Sequence, residues 1–485
     1  MNPTLASLIC ACGIAGLFYL DRDSSLRTSK ALWIPVIWIW IIGSRPVSDW
    51  LGVNPGDYES QFEGSPVDAA VFGVLTAAAI GVLIFRGRRT RNLLLANWPI
   101  LLYVAFCLIS VLWSYHPDIA LKRWVKAIGD LAMVLVIVTE PEIRDALTRV
   151  FSRVGFLLFP TSILLIKYYG FLGRNYDPDG GQMNTGVTTN KNLLGVILLV
   201  ISLGTVWSLL ALFRDKGKPN RRRHLIAQGV LLAFEIVLLD MADSKTSIVC
   251  FLLGGGLILA TSLRVVRIRP AFVHMICLAI LATGGLAFLT GGEGDVATAL
   301  GRKSNLSGRT MIWSALIPAA PNPIVGAGFE SFWISPSVLI AQDTMRSEGW
   351  WHPEGLNEAH NGYVEVYLEL GWVGVVLISL ILVNGYLRAG SAFRVNSSLG
   401  ALMLAYIIAA AVYSVTEAGF RMLDPIWDFL LLAVVGASGI AAGLIRSEKP
   451  SGVASRSSTA KKTSASDILI PERKSIYTAF NQLTR

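Results

Sequence analysis

The stretch "EAHNGYVEVYLELGWVGVV", Glu358 to Val376, places a His-Asn-Gly triplet at the head of an apolar segment that continues to about residue 386. A helix needs about 17 to 25 mostly apolar residues to cross roughly 30 Å of hydrocarbon. Runs of this kind recur along the whole 485-residue chain. We read about thirteen, near residues 4–20, 30–44, 67–85, 97–113, 122–139, 146–168, 192–213, 225–241, 246–263, 271–290, 362–386, 398–416 and 425–445, or twelve without the first. Composition agrees: only 15% of residues are charged, against about 25% in soluble domains. The fold class is therefore an all-α polytopic membrane protein with about 12–13 transmembrane helices. Its one long loop, 291–360, is expected to contain short helices, among them "GRTMIWSALIPAAP", ended by Pro318 and Pro321.

Basic residues set the orientation. Alternate connections carry Arg22, Arg27 and Lys30, then Arg86 to Arg91, Arg144 and Arg149, Arg214 to Arg223, Arg264 to Arg269, and Arg388 and Arg394. With the tail after Leu444 they hold most of the 42 Lys and Arg. This predicts a cytoplasmic tail, and a periplasmic placement for the acidic 45–66 loop and for 291–360. The net charge of +9 follows from this bias and from attraction to anionic lipid, so it does not call for nucleic acid. Three regions result: N-terminal transmembrane helices 1–96, a transmembrane core 97–445, and a disordered basic tail 446–485 rich in Ser, Lys and Ala. Residues 4–20 read as a retained span, because no basic segment or small-x-small cleavage site accompanies them. All five cysteines fall inside apolar spans, as buried thiols do.

Cations on the outer face run against the charge bias and invite a functional reading. They are Arg309, Lys245, Arg174, and the group Lys122, Arg123 and Lys126. A convergent set of this kind suits a diphosphate, with arginine offering a two-pronged fork. The competing reading is snorkelling to lipid headgroups. Among five histidines, His360 opens a span beside the long loop, where an imidazole of ordinary pKa near 6.5 accepts a proton at neutral pH; helix-start histidines also serve as caps. His352, Glu354, Glu358 and His360 lie close in sequence, but their spacing matches no recurring zinc pattern, and no metal is expected. Glu365 and Glu369 form an i, i+4 pair on a stripe with Asn361 and Trp372. His360, Tyr363, Val364, Tyr367, Gly371 and Gly374 share another helix face. We read the second face as catalytic at its outer end and as close helix packing at its glycines.

Several segments together resemble the O-antigen ligase and O-antigen polymerase superfamily, with the exopolysaccharide polymerisation branch nearest in style. They are "LWSYHPDIALKRW" (112–124), "GVTTNKNLLG" (186–195), "DSKTSIVCFLLG" (243–254), "SGRTMIWSALIPAAPNPIVGAGFESF" (307–332), "AHNGYVEVYLELGWVGVVL" (359–377) and "YSVTEAGF" (413–420). The resemblance implies a GT-C-like glycosyltransferase of the bacterial inner membrane, acting on its periplasmic side without metal or nucleotide sugar. It also implies an undecaprenyl-diphosphate-linked oligosaccharide donor. It assigns His360 as general base and Arg309 as a ligand of the donor diphosphate. Lys245 stands where the family has a second arginine, keeping the charge but losing the fork. Arg174 and Arg123 are further diphosphate candidates, and Asn361, Glu365, Glu369 and Glu417 are supporting residues.

The implied chemistry is inverting: an acceptor hydroxyl attacks the anomeric carbon, a base takes its proton, and cations stabilise the departing diphosphate. No cofactor is expected. The acceptor is a glycan, making a polymerase, or a lipid A-core or protein hydroxyl, making a ligase; "DSKT" and "LWS-x-x-P" lean the reading to polymerase. Membrane lipids and polysaccharide chain-length or export proteins are the expected partners. A lipid-linked sugar flippase or transporter is the reading from another class. Against it stand the lack of a visible repeat and polar motifs gathered on one membrane face.

Overall fold

A computed structural model describes residues 2–23, 28–53, 64–176, 180–289, 306–349 and 356–445. The expected tail, Trp350, Trp351, His352, Glu354 and residues 291–305 of the long loop lie outside these. The described chain is almost wholly helical. Thirteen helices occupy the thirteen apolar segments: α1 (Pro3–Leu20), α2 (Trp33–Ile42), α3 (Pro66–Phe85), α4 (Trp98–Ser110), α5 (Pro117–Val138), α6 (Ile143–Tyr168), α7 (Lys191–Arg214), α8 (Arg221–Ala242), α9 (Lys245–Ser262), α10 (Pro270–Leu289), α11 (Gly362–Val395), α12 (Ser397–Tyr413) and α13 (Pro425–Ala441). Among the described residues, seven (α1, α3, α6, α7, α8, α9 and α11) are long and apolar enough to cross a membrane by length and composition. The short helix Gly87–Ala96 bends by 85° into the α4 segment. One two-stranded hairpin, β1 (Arg174–Tyr176) with β2 (Gln182–Asn184), links α6 to α7.

Burial separates an inner from an outer set. α13 is buried along nearly its whole length, and α7 and α12 along most of theirs, as expected of helices that are apolar all round. Only 11% of the α1 window and 22% of the α3 window are buried, which leaves their apolar faces to lipid. In hydrocarbon the apolar effect does not drive helices together, so close fit and interhelical hydrogen bonds carry the association. Tyr406 of α12 donates to the Val200 carbonyl of α7 at 2.8 Å, and Trp207 Nε1 donates to the Ser398 carbonyl at 2.9 Å. A methyl group at Gly195 would sit 2.5 Å from Ser244 Cβ, so the missing side chain lets the heads of α7 and α9 meet.

α11 is the helix that organises the site, and it is not continuous. Gly371 takes φ 61° and ψ −163°, a conformation open essentially to glycine alone. Residues 323–328 lie in the break. Ala327 and Gly328 donate their N–H groups to the freed carbonyls of Leu368 and Glu369 at 3.0 and 2.8 Å. Trp372 and Val373 donate theirs to the carbonyls of Pro323 and Ile324 at 2.9 and 3.1 Å. Every interrupted helix bond thus finds a replacement, as buried backbone groups require. A side chain at Gly371 would come within 2.2 Å of Ile324 backbone, and one at Gly326 within 2.4 Å of Glu369. This corrects the reading of Gly371 as a helix-packing residue: it is the crossing point of two backbones.

Asparagine and aspartate caps start the helices that point at the site. Asn361 accepts from Tyr363 and Val364 N–H at the head of α11, Asn190 from Leu193 N–H at α7, and Asp424 from Ile426 N–H at α13. Such caps contribute about 1 kcal/mol each. Pro425 follows Asp424 at the first helical position, where its missing donor costs nothing.

Candidate functional site

Four segments meet where α7, α9 and α11 begin and α12 ends. Gly362 N–H donates to the Ser414 carbonyl at 2.7 Å, and Asn361 Nδ2 to the Val415 carbonyl at 3.0 Å. These bonds fasten the His-Asn-Gly triplet to the 414–424 loop. Thr246 Oγ1, one residue into α9, lies 2.9 Å from Thr416 Oγ1. The short helix Leu306–Leu316 brings Arg309 in from the long loop, held by Trp313 Nε1 donating to the Ala359 carbonyl at 2.8 Å.

Glu417 is the centre of the cluster. Its Oε1 accepts from Arg309 Nη2 at 3.0 Å. Its Oε2 accepts from Asn192 Nδ2 at 3.2 Å and lies 3.6 Å from His360 Nδ1. The same ring nitrogen is 2.9 Å from Glu358 Oε1. His360 has φ 48°, a left-handed conformation rare outside glycine, so it stands before α11 and not on its helical face. Burial alone would lower the His360 pKa, but Glu358 and Glu417 outweigh it and push it up to about 9. Burial likewise works to raise Glu358, yet His360 and Arg421 hold it below the usual carboxylate range. Arg421 is half-buried; desolvation would lower its pKa, but the surrounding carboxylates, Glu365 first, raise it above the ordinary arginine value.

The other expected site residues divide clearly. Lys245 opens α9 beside the cluster, but its ammonium pairs with Asp243 at 2.6 Å and stays exposed. Arg174 donates from Nε to the Ile166 carbonyl at 2.8 Å, closing the end of α6, and Arg123 Nη1 donates to the Glu330 carbonyl. Neither is brought to Glu417 by any described contact. Asn361 is a cap. Glu365 accepts from Ala359 N–H at 2.8 Å and Trp333 Nε1 at 2.5 Å, while Glu369 accepts from Ser331 and Phe332 N–H. The two carboxylates therefore hold the inserted loop and the residue preceding His360.

Glu358, Arg421 and Asn192 were not expected as partners of His360 and Glu417. They stand 2 to 225 residues away in sequence from the residues they meet. Glu358, His360 and Glu417 also bring donor atoms within 4.8 Å of one another. Both carboxylates also face guanidinium groups, Glu417 that of Arg309 and Glu358 that of Arg421.

Residues 228–379 match the O-antigen ligase family. That stretch contains Lys245, Arg309 and His360 in the order described. Over that stretch the chain is similar to the O-antigen ligase family. Its relatives include the exopolysaccharide production protein ExoQ of Rhizobium meliloti, 26% identical over 295 residues. That match covers 59% of this chain and 63% of ExoQ, less than two thirds of the relative's length. A Rickettsia typhi protein named as a polysaccharide ligase is 27% identical over 355 residues, 69% of this chain and 79% of that protein. Glu417 and Arg421 lie beyond the matched residues yet complete the cluster around His360.

Proposed function

We propose that this chain is a membrane glycosyltransferase that moves oligosaccharide from an undecaprenyl-diphosphate-linked donor to an acceptor hydroxyl on the periplasmic face of the inner membrane. The convergence of Arg309, His360 and Glu417 carries this reading. The acceptor hydroxyl loses its proton to His360 as its oxygen attacks the anomeric carbon. The C–O bond to the diphosphate breaks with inversion, and the leaving group departs as an anion stabilised by Arg309, with Lys245 as a second cation. Glu358 and Glu417 stabilise the imidazolium that forms, a role carboxylates play beside catalytic histidines on unrelated folds. The diphosphate is already a good leaving group, so cationic side chains can do what a divalent metal does elsewhere.

Polymerisation is the favoured outcome, on the "DSKT" and "LWS-x-x-P" segments; the exopolysaccharide relative is named for production alone. Ligation to lipid A-core or protein is the second reading, favoured by the family description and the Rickettsia name. The test is reconstitution of the full chain with a lipid-diphosphate oligosaccharide, with and without lipid A-core, followed by sizing of products. Glycan longer than the donor unit without lipid A-core supports polymerase. Product formed only on lipid A-core supports ligase, and the absence of both products overturns the glycosyltransferase reading.

A further inference from the structure

Resting on that reading, we propose that Glu358, anchored from behind by Arg421, is the positioning residue that orients His360 for proton transfer. Neither residue belongs to the motif progression that marks the family resemblance.

Nδ1 of His360 is buried without a hydrogen bond of good geometry and lies 2.9 Å from Glu358 Oε1, while the side chain as a whole is 29% exposed. That leaves Nε2 as the ring nitrogen available to an acceptor. A carboxylate against Nδ1 favours the tautomer with its proton there, which puts the basic lone pair on Nε2. The second oxygen of Glu358 faces Arg421 Nη1 at 3.7 Å, and Arg421 Nε faces Glu365 Oε1 at 3.8 Å. Glu365 in turn accepts the N–H of Ala359 at 2.8 Å. The chain of contacts runs from His360 through Glu358, Arg421 and Glu365 back to Ala359, the residue before the histidine. A loop closed in this way fixes the ring relative to its own backbone, and that backbone is held in a left-handed conformation.

Charges from every neighbouring element bear on the ring: Glu358 beside it, Glu417 and Arg421 from the 414–424 loop, Arg309 from the short helix, and Glu365 from α11. Glu358 makes the shortest ion-pair contact of His360 among them. Glu417 is shared with Arg309 and Asn192, and an arriving diphosphate competes for Arg309. Glu358 is committed to the ring and to its own anchor, which suits it to keep the ring in place through the cycle.

The experiment uses the full chain, labelled with ¹⁵N-histidine, in nanodiscs. The chain has five histidines, and loss of a resonance in His360→Gln assigns the signal of the ring at the head of α11. The ring should titrate near pH 9 in the wild type. Glu358→Gln should lower that midpoint by about one unit or more, a tenfold loss of proton affinity, and mix the neutral tautomers; Glu358→Asp should fall between. In the transfer assay Glu358→Gln should reduce kcat about tenfold or more with little change in KM for the donor, and move the alkaline rise of the rate to lower pH. A ring that titrates alike in Glu358→Gln and wild type overturns the proposal, as does a shifted ring with an unchanged rate profile. The titration reads the ring whatever the reaction is. Wild-type transfer by His360→Gln therefore overturns the functional reading instead and leaves the ring result standing.

Discussion

Arg309 and Glu417 form an ion pair at 3.0 Å, and the carboxylate that closes it also faces His360 Nδ1 at 3.6 Å. One side chain thus joins the proposed diphosphate ligand to the proposed base. Glu417→Gln keeps the shape and removes the charge. Transfer should drop by about 10²-fold or more, in the range of general acid–base contributions, and Glu417→Asp should recover part of it. Initial rates with the lipid-linked donor check this; a Gln variant at the wild-type rate contradicts it.

The pH dependence has a definite sign. A base works in its neutral form, and the carboxylates hold the His360 pKa up to about 9. The rate should climb with pH through the neutral range and level off only above about 9. A profile already level above about 7 would mean an unperturbed imidazole or another base. The profile of kcat/KM against pH, which reports the free enzyme, is the measurement.

Gly371→Ala should be among the most disruptive single changes outside the cluster. Its backbone conformation costs a non-glycine residue about 1–3 kcal/mol, and the added methyl would meet Ile324 backbone at 2.2 Å, which no rotamer relieves. Thermal unfolding in detergent should show a lowered midpoint. An unchanged midpoint would mean that the inserted loop is not held by the break in α11.

Arginines should separate by position. Arg309→Ala should lose transfer, whereas Arg346→Ala, whose partner is Asp343 on an exposed helix, should not. Arg174→Ala removes a donor from the Ile166 carbonyl and should lower stability while leaving donor affinity unchanged. Equal tolerance of Arg309→Ala and Arg346→Ala would remove the diphosphate role.

Asp130 offers a test of how the 414–424 loop is supported from below. It accepts from Trp38 Nε1 at 3.1 Å and from Leu423 N–H at 3.0 Å inside the bundle. Asp130→Ala leaves both donors unpaired, a cost of about 1–3 kcal/mol each. The expected result is lowered thermal stability with loss of transfer, although Asp130 touches none of the cluster.

Much of this architecture was legible in the sequence because apolar length is a local property. Each of the thirteen segments is a helix, and the His-Asn-Gly and Gly-Arg-Thr residues stand out in the sequence itself. The polar contacts were not legible, because they join residues far apart in the chain. Asn192 meets Glu417 across 225 residues, and nothing local to "TNKN" announces that. Periodicity also misled at α11. Counting 100° per residue assumes an unbroken helix, so Gly371 was placed on a packing face although it is the point where the helix stops and restarts. Glu365 and Glu369, two carboxylates on one stripe, gave no sign that their partners were backbone N–H groups of the loop.

In the proposed reaction His360 removes the proton of the acceptor hydroxyl. The most direct test compares wild type and His360→Gln, reconstituted at equal amounts in proteoliposomes with a lipid-diphosphate oligosaccharide, by the initial rate of glycan transfer. The account predicts a loss of about 10²-fold or more with donor binding retained. Transfer by His360→Gln at the wild-type rate would contradict it.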